Sequence, residues 1–386
     1  MKIAFYAPLK SPQHPVPSGD RQMARALIKA LRHGGHQVEI ASDLRCFSKT
    51  PHDEHMRDLA AKEAERIITR WHKEGAEGPP DLWFSYHPYY KAPDFIALEV
   101  LKSIAIRVVT AESSLALKRD NDQWQASQHC VRQLLRQSRA NFYFTDRDLP
   151  GLKTEVDDNK LVHLPPFIDA TDASATDASA TDTSAKGTST KDTGATDTQN
   201  HSKGPVNGPV QLITMGMMRG GVKLQSYALL ADALGKIDQA DWHLTIIGDG
   251  EKRRDVEGLF NSFAPDKISW AGEVSPQAVH PLLTQGDIFV WPGFGEAYGL
   301  AYLEAQAAGL PVVGQNTHGV PFAVKDGETA ILVPPDDATA YAQAILKLIN
   351  DQQLRQQLSA NAARFVRNVR NLQTASQILD RTIRRI

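Results

Sequence analysis

The 386 residues carry 43 Lys and Arg against 45 Asp and Glu, a net charge of −2, with 41% hydrophobic and 23% charged positions. That balance is globular: it excludes collagen-like, wholly disordered and coiled-coil chains and gives no global attraction to nucleic acid, and the length suits two or three domains. No apolar run approaches the ~18 residues of a membrane span, and Cys46 and Cys130 are too few for a disulfide framework.

The chain begins MKIAFYAPLKSPQHP, which turns polar after one short apolar run, unlike a signal peptide. A reducing cytoplasm is the expected location. In chain order, residues 2–8 (KIAFYAP) read as a buried parallel strand, followed by a Pro/Gly/Ser loop. A helix is expected over 20–33, where Met23, Ala24, Leu27, Ile28 and Leu31 sit at helical spacing before Gly34 and Gly35, and QVEIA (37–41) resumes as a strand. Further strands are expected at 81–86 (DLWFSY), 106–111 (IRVVTA), 141–145 (NFYFT) and 160–164 (KLVHL), with helical patterns between several of them.

Residues 170–208 repeat an ATDAS-like unit every five residues and contain no Leu, Ile, Phe, Tyr, Trp or Met, Val206 being the one branched aliphatic. Such a stretch cannot bury enough apolar surface to offset the entropy of ordering it, so a low-complexity flexible linker is expected, spanning roughly 34 Å as a random coil. After it the alternation resumes: strands at 210–216, 243–250, 267–272, 287–293, 311–315 and 330–334, with helices between. Two alternating βα blocks imply two doubly wound α/β domains facing each other across a cleft, with the ligand at the carboxyl ends of the strands. The expected boundaries are 1–169, the linker 170–208, a second domain 209–370, and a terminal helix 371–386 that carries Leu372, Ala375, Leu379 and Ile383 on one face.

The chemistry concentrates after the strand DIFVW, in PGFGEAYGLAYLEAQAAGLPVVG. Glu296 lies in the Gly-rich loop and Glu304 eight residues later, inside a helix expected to start near Gly299, whose first-turn amides suit a phosphate. Glu296 can accept from sugar hydroxyls, and Glu304 from a ribose diol.

With Pro292 before, Tyr298, Gly299 and Leu300 between, and Ala308-Gly309-Leu310-Pro311-Val312-Val313 after, this frame resembles the retaining GT-B glycosyltransferases of family 4 (glycosyltransferase group 1). IIGDGE (246–251), WAGEVS (270–275), DGETAILVPPDD (326–337), GGHQVEI (34–40) and LPPFID (164–169) extend the resemblance over most of the chain outside the linker. It implies two Rossmann-like domains and a hexosyltransferase that draws on a nucleoside-diphosphate sugar, with Glu296, Arg219 and Lys223 catalytic. In MGMMRGGVKLQSY the two cations would neutralise the leaving diphosphate, although Met217 stands where the family places its Arg and the Arg–Lys spacing is one residue short. Donor-binding roles are implied for Gly19, Gly248, Tyr298, Gly299, Leu300 and Glu304. On the acceptor or sugar side stand Glu112, His87 and Lys118 with Arg119; Glu112 occupies the place of a histidine common in the family. No cofactor or metal is expected. The acceptor is expected to be a carbohydrate or a lipid-linked glycan, in bacterial surface polysaccharide synthesis.

Other signals carry less. Asp120-Asn121-Asp122 and Asp146-Arg147-Asp148 match a D-x-D pattern at chance frequency, and 52–55 (HDEH) lies in a polar segment. The stripe Arg21, Arg25, Lys29 and Arg32 offers either a weak peripheral contact with anionic lipid or a solvated helix face. Two readings compete with transfer: a non-catalytic binding subunit of a polysaccharide-synthesis assembly, and a nucleotide-sugar epimerase of the same fold.

Overall fold

The computed structural model describes residues 1–51, 54–73, 78–169 and 208–386. The low-complexity stretch, Gly208 apart, lies outside the described residues, as do His52 and Asp53 of the HDEH string. Two compact units emerge: Met1–Phe167 with Leu372–Ile386, and Ile168–Asn371.

In the first unit the apolar runs become β1 (Lys2–Tyr6), β2 (Gln37–Ile40), β3 (Leu82–Tyr86), β4 (Arg107–Ala111), β5 (Ser138–Tyr143) and β6 (Leu161–His163). They form one sheet in the order β2-β1-β3-β4-β5-β6. Every pairing is parallel. Central strands of such a sheet are covered on both faces, and LWFSY of β3 is accordingly buried at all its positions. Helices α1 (Gly19–His33), α2 (Glu54–His72), α3 (Phe95–Ser103), α4 (Gln125–Gln137) and the short α5 (Leu149–Leu152) connect the strands. Ser18 caps α1 by accepting from the Arg21 amide at 3.2 Å, and the turn after it closes on Gly35 at φ 81°. Strand β5 starts three residues before the expected NFYFT. Ser138 ends α4 and opens β5 at once, its hydroxyl 2.6 Å from the Leu135 carbonyl and 2.9 Å from Asn141 Oδ1.

The second unit repeats the plan with β7 (Val210–Met215), β8 (Trp242–Ile247), β9 (Ile268–Gly272), β10 (Ile288–Val290), β11 (Val312–Gln315) and β12 (Ala330–Val333), ordered β12-β11-β10-β7-β8-β9. Its helices are α6 (Val222–Gly235), α7 (Arg253–Leu259), α8 (Pro276–Leu283), α9 (Leu300–Ala307), α10 (Val320–Ala323), α11 (Ala338–Asn350) and α12 (Gln352–Val369). The last helix, α13 (Leu372–Ile383), returns to the first unit and packs on α1, burying Ala375, Leu379 and Ile383. Gly34 makes that approach possible: a Cβ there would sit 3.2 Å from both Asp380 Cβ and Ser376 Oγ.

Each sheet reverses its strand order once, between β1 and β3 in the first and between β7 and β10 in the second. The loops that follow these pairs part from one another at the carboxyl edge, which is where doubly wound sheets bind ligands.

Candidate functional site

In the second unit the loop after β7 is held by backbone. The Gly216 amide donates to Ile247 O at 3.0 Å, Met218 N to Asp249 O at 2.9 Å, and Lys252 N to Met218 O at 2.9 Å. Gly248 is needed here, because at φ 139° its Cβ would collide with the Gly216 carbonyl. The loop thus presents Lys223, in the first turn of α6, from a fixed platform.

The facing loop, after β10, carries Glu296. Its Oε2 lies 3.1 Å from Lys223 Nζ, while Oε1 accepts from the Gly299 amide at 3.3 Å. Both side chains are largely withdrawn from solvent, 24% exposed for Lys223 and 15% for Glu296, and the ammonium also sits 5.3 Å from the Trp291 ring centre. The loop is tied to α6 by Phe294 N donating to Ser226 Oγ at 3.1 Å, and Glu296 O accepts from the Gly319 amide at 2.8 Å. Gly299, left-handed at φ 68°, precedes α9, and a Cβ on it would strike Ala323. Tyr298 and Leu300 are buried around this turn and Glu304 is half-buried on α9. Arg219 behaves differently: it is exposed and pairs with no acid among the described residues, so Lys223 alone of the two expected cations is joined to Glu296.

The first unit has its own polar cluster at the corresponding edge. Strands β3 and β4 are each followed by a non-glycine residue in the left-handed region, His87 at φ 60° and Glu112 at φ 53°. Both continue the sheet ladder, His87 N donating to Ala111 O and Glu112 N to Phe142 O, each at 2.8 Å. His87 Nδ1 lies 3.0 Å from Asp20 Oδ1, an acid in the first turn of α1. Burial works against charge on this imidazole, but the hydrogen bond and charge of Asp20, with Glu112 and Asp148 beyond, outweigh it and raise its pKa. Glu112 is 8% exposed and its Oε2 meets no hydrogen-bond donor among the described residues. Burial first, and the Asp148 charge second, push its carboxyl up to about 8, against the opposing pull of His87 and Arg147. Asp148 is itself raised by burial, with Ser114 bonding to it.

Other expected residues stand apart from these clusters. Gly19 opens α1 behind its Ser18 cap, Lys118 is exposed on a short 3-10 turn, and Arg119 is engaged with Asp122 at 2.7 Å and the Tyr90 ring. Asp120 of the first D-x-D string pairs with Arg132 at 2.6 Å. The basic stripe of α1 is partly spent on backbone: Arg21 donates to His14 O and Pro15 O, and Arg25 to Pro12 O. Among the described residues no group of three or more His, Cys, Asp or Glu is placed to hold a metal, and no helix is long and apolar enough to cross a membrane. Sequence reasoning set Asp148 aside with its D-x-D string and gave no role to Asp20 or Trp291. Asp20 reads locally as a helix-start acid, and its partner His87 lies 67 positions away.

Residues 209–351 match the family model described as glycosyl transferases group 1. The matched segment lies inside the second unit, and the first unit falls outside it. Lys223, Glu296, Gly248 and Arg219 all fall within the family segment, whereas His87 and Glu112 lie outside it. Among curated relatives, the alpha-D-kanosaminyltransferase of Streptomyces kanamyceticus is 32% identical over 124 residues, 32% of this chain and 32% of the relative. The phosphatidyl-myo-inositol mannosyltransferase of Mycobacterium leprae is 31% identical over 158 residues, 39% of this chain and 41% of the relative. The chain thus covers less than two thirds of these relatives' length. Two solved structures share the GT-B fold: sucrose-phosphate synthase of Thermosynechococcus elongatus, with a TM-score of 0.69 at 17% identity over 100% of this chain and 98% of that one, and HepE of Anabaena in complex with UDP, with a TM-score of 0.69 at 15% identity over 100% of both.

Proposed function

We propose that the chain transfers a hexosyl group from a nucleoside-diphosphate sugar to a hydroxyl acceptor, with retention at the anomeric carbon, the donor resting on the second unit and the acceptor on the first. The observation that carries this reading is the Lys223–Glu296 pair at 3.1 Å, set at the strand-order reversal inside the family segment. An ammonium held by a carboxylate on a fixed loop is a cation in reserve. A diphosphate offers it a stronger partner, and Glu296, once released, can take the hydroxyls of the sugar. A leaving diphosphate gathers negative charge as the glycosidic bond breaks, so Lys223, with Arg219 swinging from solvent, stabilises the transition state more than the ground state. The first-turn amides of α9 lack intrahelical acceptors and suit the same anion.

Retention is assigned to a front-face displacement. The acceptor oxygen forms its bond to the anomeric carbon on the side from which the phosphate oxygen departs, and that oxygen takes the acceptor's proton. The chemistry calls for no resident metal, since Lys223 and Arg219 neutralise the diphosphate. The HepE structures hold UDP and UDP-glucose, which makes a uridine donor the first to try. Surface polysaccharide or lipid-linked glycan synthesis is the setting proposed.

Replacing Glu296 by Ala is expected to abolish transfer while leaving the fold intact. Full transfer by that variant would overturn the reading. Turnover of the donor to an isomeric sugar without acceptor would replace it by epimerisation.

A further inference from the structure

We propose that Trp291 is the positioning residue of Lys223: its indole face holds the ammonium at the site while the cation exchanges Glu296 for an incoming anion. The proposal rests on the glycosyl-transfer reading for what that anion is, a nucleoside diphosphate, and not for the holding itself.

Trp291 follows β10 directly and is fully buried. Backbone fixes it on two sides: its amide donates to Val313 O at 3.2 Å, and its carbonyl accepts from the Tyr302 hydroxyl at 2.8 Å. The ring is wedged against the loop after β7. Tyr227 of α6 meets it edge-on with ring centres 4.9 Å apart, and the Tyr227 hydroxyl donates to Gly216 O at 2.6 Å. A Cβ on Gly216 would lie 3.0 Å from Trp291 Cη2. Packed this closely, the indole is a fixed surface shared by β10, α6 and the Gly216 loop, the elements that build the site.

Two contrasts within the chain say what that surface is for. Trp71, Trp83 and Trp242 are buried as well, and each indole N–H donates, to Glu39 at 2.8 Å, to Asp94 at 2.8 Å and to Ile237 O at 3.0 Å. Trp291 Nε1 meets no acceptor among the described residues. Burying an unanswered N–H costs free energy that a phenylalanine or leucine in the same space would avoid. What an indole adds over those residues is the ring face that attracts a cation most strongly, and Lys223 Nζ sits 5.3 Å from its centre.

The second contrast is Lys267, whose ammonium lies 4.5 Å from the Trp242 ring centre. It also donates to Asp238 O, to Asp238 Oδ1 at 3.1 Å and to Ala240 O at 3.3 Å, so it is committed to the fold. Lys223 has one acceptor among the described residues, Glu296 Oε2 at 3.1 Å, although an ammonium carries three N–H groups. One of its two holders, the carboxylate, can be displaced by an anion. The other, a ring face, is not contested by an anion. The ammonium therefore stays in the site during the exchange instead of moving into solvent, where its attraction to a diphosphate would be screened.

The test weakens the ring face without changing its shape. In the full chain Trp291, alone of the six tryptophans, is replaced by tryptophan bearing one to four fluorines, which draw electron density from the face. With no acceptor on Nε1, no hydrogen bond changes. Calorimetry reads the affinity for UDP, ADP and GDP. Peptide mass spectrometry reads, without ligand, the acylation rate of the Lys223 amine, with Lys267 as internal control. The expected result is a stepwise loss of nucleotide affinity, reaching about tenfold with four fluorines, and faster Lys223 acylation at each step with Lys267 unchanged. In K223A the fluorine series should leave nucleotide affinity flat, which a merely structural tryptophan would not produce. W291F should fall part-way along the series and W291L beyond its end. Unchanged Lys223 acylation across the series, unchanged affinity for a nucleotide that does bind, or a fluorine effect that persists in K223A would each overturn the proposal. If the natural protein binds none of the three nucleotides, the donor reading falls and the acylation series alone judges Trp291.

Discussion

The two units each present a carboxylate at the carboxyl edge of a parallel sheet, and handle it in opposite ways. In the second unit Glu296 is answered twice, by Lys223 at 3.1 Å and by the Gly299 amide at 3.3 Å. In the first, Glu112 is left with an oxygen that meets no donor among the described residues, while the nearby His87 is taken by Asp20. Where the acid is paired, the ammonium of Lys223 can exchange that partner for an incoming anion. Burial without a donor pushes the titration of the other acid up instead. The difference teaches that one kind of sheet, used twice in one chain, can pair the acid at one carboxyl edge and leave the acid at the other open.

The largest effect that would sharpen this contrast is at Glu296. Its replacement by Ala should cut transfer by about 10³-fold with the fold retained but the melting temperature lowered, because Lys223, largely withdrawn from solvent, loses its partner. Steady-state transfer rates beside thermal melts check both halves. Lys223→Ala comes next. It should lower turnover about 10²-fold and weaken nucleotide binding, measured by calorimetry, with Glu296 then exposed as an uncompensated carboxylate. Equal loss from Lys223→Ala and Arg219→Ala would break the contrast drawn between a paired and a solvent-facing cation.

Asp94→Ala should act on stability instead. It removes the acceptor of Trp83 Nε1 and the cap of α3, at a cost of about 2–4 kcal/mol by denaturant unfolding, with the rate per folded molecule unchanged. Glu112→Gln should do the reverse. The folded-state titration near 8 lies above the ordinary carboxylate value, so the folded protein keeps a proton that the unfolded chain gives up as pH rises from about 4.5 to about 8. The natural protein loses stability across that window and the glutamine variant does not, so the variant's advantage should grow from pH 5 to pH 8 and then level off. Melting curves taken as a pH series read this directly; an advantage that shrinks with pH would contradict the sign. The smallest effect belongs to Gly34→Ala, where the added Cβ presses on Asp380 and Ser376 of α13. About 1 kcal/mol is expected there, from melts alone.

Much of the fold was legible because buried parallel strands are short, uninterrupted apolar runs. IAFY, LWFSY and FVW announce themselves without help from anything distant. The start of α1 was legible to within one residue for the same local reason, the apolar spacing of Met23, Ala24 and Leu27 beginning just after the Pro/Gly/Ser loop. The start of β5 was not, because Ser138 looks like a polar helix end until its hydroxyl is seen bridging Leu135 and Asn141. Helix α2 was blurred by its polar composition, although Ala60, Ala64, Ile67 and Trp71 mark its buried side.

At the site, the Glu296 and Glu304 frame could be read because its neighbours stand in sequence order around it. Which cation joins Glu296 could not, since Arg219 and Lys223 are four positions apart and only the turn geometry separates an exposed side chain from a paired one. The His87–Asp20 contact is between residues distant in sequence, and nothing in Ala111-Glu112-Ser113 announces a left-handed glutamate.

The central claim, that Lys223 and Glu296 form the working pair of a nucleotide-sugar transferase, is tested most directly by release of nucleoside diphosphate from a panel of nucleotide sugars. The natural protein should release diphosphate from at least one donor, slowly by hydrolysis and faster with an acceptor, and E296A should release none above background. Equal release by E296A, or none from any donor by the natural protein, would contradict it.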